Sequence, residues 1–426
     1  MRPDSHLDQD GLAWDDTGLQ LIPRWTREPS LAAIIFVCRR ELQLAPDAEC
    51  KISFFAAGAF NKLYLVTTES STLLMRVSLP VYPHYKTRGE VATLGWVREH
   101  TQIPVPKVLA SQDNRTNAGA SEDELDFEWM LMERMPGQPL SKVWRNLSMQ
   151  QKAALVEQLA GFQAQLHANS QLGFSGIGTL QPGATPCPGR VVSHEFFMGD
   201  HVQYDVPRGP FRSSRDWMHS QLQILILAQS AARDRAENDD DREEAEEMLE
   251  CAEKLLGILP KVFPEEASEH TVIWHDDLNT QNILVNEEGR ITGIVDWECV
   301  SAFPLWMATR LPAFLDGQSE RTEEPVRDTY ADAGADEEPE DGLDNEGKNM
   351  LYWIHLMEYE VTKLKGVYEA KMRELWPDQG KVAQENAKKV DFYEALLQLT
   401  AGIWLGQVAE WAEKVEQGES VRWADV

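Results

Sequence analysis

The stretch of sequence that decides the fold is TVIWHDDLNTQNILVNEEGRITGIVDWECV, residues Thr271 to Val300. Three short apolar runs within it, at 271–274, 283–285 and 291–295, predict three strands with polar residues between them. The turn EEGR near Gly289 joins the last two runs into a hairpin. Polar side chains are therefore expected at fixed places beside these strands.

The hairpin predicts which polar residues come together. A turn centred near Gly289 pairs residues whose numbers sum to about 578, so Asn282 should lie opposite Asp296 with Cα atoms roughly 5 Å apart. An amide oxygen beside a carboxylate suits Mg²⁺. Asp277 precedes Asn282 in the same loop. A carboxylate near a metal-bound phosphate can accept the proton of an attacking hydroxyl.

HDDLNTQN followed by IVDWE resembles the catalytic loop and metal-binding segment of the aminoglycoside phosphotransferase and choline kinase-like family. The resemblance implies that Asp277 is catalytic, that His275 supports the loop, and that Asn282 and Asp296 bind Mg²⁺. Asp276 stands where family members often have Gly, and we assign it no role. Taken singly, an Asp or Asn in a loop more often serves a turn, so the prediction depends on the whole pattern.

Five runs of apolar and β-branched residues before this stretch predict a small antiparallel sheet. They cover residues 52–55, 62–67, 73–79, 105–110 and 127–132. Helical periodicity at 30–44 and at 86–100 predicts two helices, the second ending before the prolines of IPVP. The polar stretch 111–126 is predicted to be a loop, and MPGQP ends this half of the chain.

The rest of the chain has mainly helical patterns. Ser148 and Gln151 form a capping-box pattern before a helix that runs to about His167. An acidic run at 239–250 predicts a solvated helix face or a loop. Further helices are predicted at 217–233, 351–372 and 390–415, and a mobile acidic insertion at 320–348.

The resemblance implies an α+β fold of the two-lobed protein kinase type. A small antiparallel β-sheet would form the N-lobe, and a mainly helical C-lobe would follow. The predicted division is an N-terminal extension with a helix at 1–49, a nucleotide-binding N-lobe at 50–136, and a C-lobe at 137–426.

The resemblance continues in the N-lobe with less specific motifs. Gly58 and Asn61 lie between the first two predicted strands, where a Gly lets the backbone approach phosphates. The same residues are equally typical of an ordinary hairpin turn that binds no phosphate. Arg76 stands in place of the family's phosphate-binding Lys, and its guanidinium can contact two phosphate oxygens. Glu90 matches the acid that pairs with this cation, and a solvated helix charge is the alternative.

The segment MERM before Pro136 resembles the hinge whose backbone binds adenine. This makes Glu133 and Met135 candidate cofactor-binding residues. Together with the preceding motifs, it implies ATP and Mg²⁺ as cofactors.

Composition limits the class of partner. The formal net charge is −30 and the pI is near 4.7, which disfavours nucleic acid and anionic membranes and favours a cationic acceptor or simply solubility. The N-terminus lacks a signal-peptide pattern, and the strongest early apolar run, Leu31 to Val37, is too short to span a bilayer. Five scattered cysteines without a CxxC pair fit a reducing compartment, so a cytoplasmic protein is expected.

Three functions compete at this point. The leading one is transfer of the γ-phosphate of Mg-ATP to a hydroxyl of an aminoglycoside-, choline- or metabolite-like small molecule. The second is a catalytically silent binding protein of the same fold, suggested by Arg76 and the acidic insertion. The third is a Mg-dependent prenyl-diphosphate enzyme, suggested by the acids 239–241, although the strand-rich first half argues against an all-helical terpenoid fold.

Overall fold

Strands dominate the first third of the chain and helices the remainder. The computed structural model describes residues 7–17, 21–113, 125–168, 172–264, 269–316, 319–332, 334 and 346–426. The strands are β1 (Leu12–Asp16), β2 (Leu21–Trp25), β3 (Cys50–Ala57), β4 (Asn61–Thr68), β5 (Thr72–Ser78), β6 (Val108–Gln112), β7 (Glu128–Glu133), β8 (Gln138–Pro139), β9 (Phe174–Ser175), β10 (Leu180–Gln181), β11 (Cys187–Pro188), β12 (His270–Trp274), β13 (Ile283–Val285), β14 (Ile291–Ile294) and β15 (Ser301–Pro304). The α-helices are α1 (Leu31–Glu41), α2 (Tyr85–His100), α3 (Leu140–Val143), α4 (Met149–His167), α5 (His194–Phe197), α6 (Ser214–Arg235), α7 (Asp239–Val262), α8 (Met350–Leu375), α9 (Gln379–Glu385), α10 (Ala387–Thr400) and α11 (Leu405–Glu416).

The predicted sheet is confirmed as five antiparallel strands in the order β3-β4-β5-β7-β6. Its edge strand β6 begins at Val108 and not at 105, because the two prolines of IPVP have no N–H to donate to the sheet. Helix α2 lies between β5 and β6 along the chain, as predicted. The predicted α+β class, with a sheet N-lobe and a mainly helical C-lobe, is confirmed.

Strand β5 lies in the middle of this sheet and alternates between two buried faces. Met75 and Val77 join the cluster that α1 forms with Ile34 and Val37 on one face. Because successive side chains of a strand point to opposite faces, Arg76 is directed to the other face, where the cleft lies.

The region before residue 50 also contains a hairpin that the sequence did not reveal. Strands β1 and β2 pair there, and the ring of Trp25 lies 5.1 Å from that of Phe127 beside the main sheet. The acidic and proline-containing strand sequences LAWDD and LIPRW hide the usual strand pattern. The predicted helix is α1, which Ser30 caps by accepting a hydrogen bond from the Ala33 amide.

The helical lobe follows the predicted pattern with one correction. The capping box of Ser148 and Gln151 is present, and the acidic run at 239–250 is the exposed face of α7. The predicted single helix over 390–415 is wrong. It is interrupted between α10 and α11, where Gly402 and Trp404 adopt left-handed φ values of 69° and 56°.

The decisive segment forms two small strand pairings in the helical lobe. Strand β12 lies between β15 and β9, and β13 lies between β14 and β8. The predicted register of the hairpin is wrong by one residue. The Val295 amide donates to the Asn282 carbonyl at 3.0 Å, so Val295 and not Asp296 lies opposite Asn282. The pairing shifts by one residue between Leu284 and Val285, which the sequence pattern does not show.

Two predicted segments lie partly outside the described residues. The loop prediction for 111–126 includes 114–124, and the insertion prediction for 320–348 includes 333 and 335–345. Within the described part of the second segment, Asp332 and Lys348 form an antiparallel bridge. The division at 49, 136 and 137 stays a prediction. Across the described ranges, no helix combines the length and the apolar character needed to cross a membrane.

The link between the lobes depends on Gly137. Its φ is +95°, and an added Cβ would lie 2.6 Å from the Val285 carbonyl oxygen and 2.4 Å from Thr292 Oγ1. We expect Gly137→Ala to lower the free energy of unfolding by at least about 1–3 kcal/mol, measured by urea denaturation. Gly58→Ala is the matched control, because no atom lies within 4 Å of its Cβ position. Equal stability of the two variants would contradict this prediction.

Candidate active site

A cavity of about 640 Å³ lies between the sheet and the helical lobe. Its inner part toward the hinge is apolar and is lined by Leu63, Leu74, Leu94, Met132 and Leu284, among others. Leu63 and Leu74 come from strands of the sheet, whereas Leu284 comes from β13 in the other lobe. A flat, apolar ring system would fit between these two walls.

The predicted hinge residues lie at the edge of this apolar part. Glu133 is the last residue of β7, and both Glu133 and Met135 line the cavity. The Glu133 amide donates to the Lys107 carbonyl at 2.9 Å, which fixes the end of the strand.

Arg76 is the central cation of the cavity. It is 5% exposed and forms an ion pair with Glu90 of α2, which confirms the predicted pairing geometry. Its Nη2 also lies 3.2 Å from Asp296 Oδ1 and 2.7 Å from Glu298 Oε2. Although burial lowers it, these carboxylates raise the pKa of Arg76 above its ordinary value. Arg76 is therefore a permanent positive charge.

Glu298 gathers a second group of polar side chains. Its Oε2 lies 2.6 Å from Lys86 Nζ and accepts from Asn61 Nδ2 at 2.8 Å. Asn61 Oδ1 in turn accepts from Lys86 at 2.9 Å and from Ser78 Oγ at 3.1 Å. Burial acts to raise the pKa of Glu298, but Lys86 and Arg76 outweigh it and hold this pKa at about 2. Glu298 is thus ionised.

Asp277 and Asn282 contact each other in the loop between β12 and β13. Asn282 Nδ2 donates to Asp277 Oδ2 at 3.0 Å and to the Asp277 carbonyl at 2.9 Å. Because both bonds use the nitrogen, Asn282 Oδ1 is left as the atom for a cation. Asn279 Nδ2 donates to Asp277 Oδ1 at 2.7 Å, so the Asp277 carboxylate is oriented by two amides.

Asp296 follows β14 with a left-handed φ of 64°, which aims its side chain into the cavity. Burial, together with the neighbouring carboxylate of Glu298, raises the pKa of Asp296. A carboxylate in such a place is stabilised by a nearby cation. Asn282 and Asp296 supply one amide oxygen and one carboxylate, which fits Mg²⁺ that is also held by phosphates and water.

His275 lies behind the loop and not in the cavity. It is buried, its Nε2 donates to the Val295 carbonyl at 3.2 Å, and its ring lies 4.9 Å from that of Trp297. Burial lowers the pKa of His275 to about 4, so the ring is neutral. These contacts join the start of the loop to the segment after β14, and the supporting role of His275 stays a prediction.

The turn at Gly58 borders the polar part of the cavity. No atom lies within 4 Å of the position of a Cβ at Gly58, so the protein itself does not require glycine there. The open space beside the turn is where phosphate groups could approach the backbone. Asn61, at the start of β4, is instead held by side chains.

The far end of the cavity combines acids and aromatic rings. Asp276 and Glu195 line it together with Trp217, Phe303 and Tyr393. Asp276 is exposed to the cavity, although protein atoms surround it at longer range. Burial and then the charge of Glu195 raise the pKa of Asp276 to about 6.

The structure thus brings together the predicted residues Arg76, Glu90, Asp277, Asn282 and Asp296. The sequence analysis missed Lys86 and Glu298, as well as the acids and rings at the far end. Glu298 had a signal, since it is the last letter of the quoted IVDWE. The far-end residues come from α5, α6, β15 and α10, and only the fold joins them.

Comparison with protein families identifies the class of protein to which this chain belongs. The model of the phosphotransferase enzyme family matches residues 51–307, which is most of the chain. The chain belongs to this family, and its fold is the two-lobed, protein kinase-like one.

Two relatives show what the chain is similar to. It is 25% identical over 342 residues to the subtelomeric hrmA-associated cluster protein of Aspergillus fumigatus, covering 67% of this chain and 65% of the relative. It is 26% identical over 230 residues to clavilactone A biosynthesis cluster protein Y of Ampulloclitocybe clavipes, covering 54% and 53%. The chain spans less than two thirds of the length of these curated relatives.

Solved structures are more distant in sequence. The ternary complex of aminoglycoside phosphotransferase APH(4)-Ia with ADP and hygromycin B has 14% identity and a TM-score of 0.43, covering 91% of this chain and 97% of that one. The streptomycin–ATP complex of APH(2″)-IIa has 11% identity and a TM-score of 0.41, covering 89% and 100%.

The raised pKa of Asp276 predicts a pH-dependent gain from its removal. Because the folded pKa of about 6 exceeds the ordinary value of roughly 3.9, ionised Asp276 destabilises the fold above that range. Because Asp276 is exposed to the cavity and solvent screens its charge, we expect Asp276→Asn to raise the Tm only slightly at about pH 7.5 and to lose this gain by about pH 3, where Asp276 is almost fully protonated in both states. Asp205→Asn, on an exposed loop, is the control. An equal rise in Tm at both pH values would show that ionisation of Asp276 is not the cause.

Proposed function

We propose that this chain transfers the γ-phosphate of Mg-ATP to a hydroxyl of a small molecule. The observation that carries the proposal is the meeting of Arg76, Asn282, Asp296 and Asp277 around one cavity. A cation, a metal-binding pair and an oriented carboxylate are the parts that phosphoryl transfer needs, because the reaction depends on positioning and charge neutralisation.

In this proposal the adenine ring occupies the apolar part of the cavity beside Glu133 and Met135. The phosphates then extend toward the Gly58 turn and Arg76. Glu90 orients Arg76 by their ion pair, so that the guanidinium faces the phosphates without a loss of side-chain entropy on binding.

Asn282 and Asp296 would hold Mg²⁺. When bound, the ion neutralises charge on the phosphate oxygens. The residues of the chain supply the proton acceptor and the alignment of the acceptor hydroxyl. Asp277 is oriented by Asn279 and Asn282, so its carboxylate can accept the hydroxyl proton and align the acceptor oxygen.

The acceptor would bind at the far end of the cavity, next to Asp277. The carboxylates of Asp276 and Glu195, with the ring faces of Trp217 and Tyr393, suit an alcohol that also carries a protonated amine. The name of one relative refers to a biosynthesis cluster, so amine-bearing natural products belong among the acceptors to test. We propose the cytoplasm as the location, where Mg-ATP is available and thiols stay reduced.

A catalytically silent binding protein is the second candidate. It is favoured by one observation, the contact of Arg76 with three carboxylates, which would have to rearrange to free its Nη2 for phosphate. The prenyl-diphosphate hypothesis has less support. The acids 239–241 form the exposed first turn of α7, where they stabilise the helix dipole, and they do not line the cavity.

Nucleotide binding gives the first test. We expect ATP to raise the Tm of the native chain when Mg²⁺ is present, and Asp296→Ala to lose that Mg²⁺-dependent gain because half of the metal-binding pair is removed. The measurement is the Tm of each protein with ATP alone, with Mg²⁺ alone and with both. Asp240→Ala, on the exposed turn of α7, is the control and should behave as the native chain does. A native chain that ATP never stabilises would contradict the enzyme proposal.

Phosphoryl transfer gives the second test. We expect the native chain to phosphorylate members of a panel of amine-bearing alcohols, with ADP release as the measured signal. Asp277→Asn should lower the rate by about 10²- to 10⁴-fold while leaving Mg-ATP binding intact, because only the proton acceptor is lost. Neutral alcohols of the same size are the control acceptors, because they lack the protonated amine. Mg-ATP binding without transfer to any acceptor would favour the silent candidate.

A further inference from the structure

Four charged side chains form a closed ring at the phosphate end of the cavity. Arg76 contacts Glu90 and Glu298, and Lys86 contacts Glu298 at 2.6 Å. Lys86 and Glu90 are one turn apart on the same face of α2, so the helix backbone connects the two ends of this chain of ion pairs. The ring thus joins β5, α2 and the segment after β14.

Three of these residues have a direct place in the proposed site, but Lys86 does not line the cavity. Its side chain is 2% exposed, and its Nζ contacts Glu298 and Asn61. Lys86 therefore reaches the phosphate end only through other residues. Asn61 follows the Gly58 turn, and Glu298 lies two positions after Asp296.

The segment that Glu298 anchors has an unfavourable backbone. Asp296 and Cys299, on either side of Glu298, both have left-handed φ values, 64° and 62°. Non-glycine residues adopt this conformation at a cost and keep it when surrounding contacts hold them. Within the described part of the segment, the ion pairs of Glu298 with Lys86 and Arg76 are contacts able to do so.

Stability alone is a weak explanation for these buried charges. A buried ion pair loses about as much hydration as it gains in attraction, and apolar residues often serve a fold equally well. The same pair does fix a geometry, because Lys86, Asn61 and Glu298 are bonded to one another within 2.6–2.9 Å.

We propose that Lys86 is a positioning residue, which acts through Glu298 to hold Asp296 in its metal-binding orientation and through Asn61 to hold the adjacent turn. This inference rests on the proposed Mg-ATP function. It gives α2 two tasks, since Glu90 orients the phosphate-binding cation and Lys86 orients the metal-binding segment.

The chain offers a matched control for this proposal. Lys152 of α4 is also 2% exposed on its side chain and also lies 2.6 Å from a carboxylate, that of Glu360, whose side chain is 11% exposed against 12% for Glu298. Lys152 and Glu360 join α4 to α8 and do not line the cavity. Lys152→Met removes an equivalent ion pair without touching the site.

The experiment measures binding of the non-hydrolysable β,γ-imido analogue of ATP by calorimetry, across a range of Mg²⁺ concentrations. We expect Lys86→Met to raise the Mg²⁺ concentration for half-maximal binding by about 10- to 100-fold, as for other residues that orient metal ligands. Lys152→Met should leave it unchanged, although it lowers the Tm. Glu298→Gln should reproduce the defect, and it decides the matter if Lys86→Met does not fold.

A double variant separates action through Glu298 from a general loss of structure. If Lys86 acts through Glu298, the defects of Lys86→Met and Glu298→Gln will not add in the double variant. Additive defects, or a Lys86→Met variant with the native Mg²⁺ dependence, would overturn the inference while the native chain still binds the analogue. A native chain without Mg²⁺-dependent binding would overturn both this inference and the proposed function.

Discussion

The buried guanidinium of Arg76 is the interaction on which the site depends. It contacts Glu90 from α2 and Asp296 and Glu298 from the segment after β14, so one side chain connects the sheet with both. Removing the cation would take from Glu90 and Asp296 the ion pair that each makes with it, whereas Glu298 would keep Lys86, and unpaired buried charges are costly. The position of Arg76 in the central strand, with a packed face behind it, gives this connection a rigid base.

The charges around Arg76 also explain why the site suits a divalent cation. Three carboxylates, Glu90, Asp296 and Glu298, face two cations, Arg76 and Lys86, which leaves one net negative charge when all three carboxylates are ionised, while burial raises the pKa of Glu90 to about 7. Burial, and then the charge of Glu298, raises the pKa of Asp296, so a nearby cation would stabilise its ionised form. Mg²⁺ would reverse the sign and so attract the phosphates of a nucleotide. Neutral His275 and the side-chain amides of Asn279 and Asn282 add no charge that would oppose this.

Motifs with local geometry were predictable from the sequence, and long-range pairings were less so. The strands around HDDLNTQN, the pairing of Arg76 with Glu90 and the capping box of α4 follow from periodicity, spacing and family resemblance. The hairpin register came out one residue off, because Val285 pairs with Ile291 and the turn is therefore centred one residue before Gly289, an offset that the later shift in the pairing only partly reverses. The break between α10 and α11 was missed, because left-handed φ values fall on Trp404 as well as on a glycine.

The sequence by itself determined the class of fold and the chemical types at the phosphate end, because those residues lie in short segments whose spacing fixes their roles. The tertiary structure alone decided that Lys86 meets Glu298 across 212 positions of chain, and that Glu195, Trp217 and Tyr393 share the far end of the cavity with Asp276. The physical reason is that such groups come together only when separate helices, strands and loops pack, and packing depends on the shape of whole buried faces and not on any local pattern.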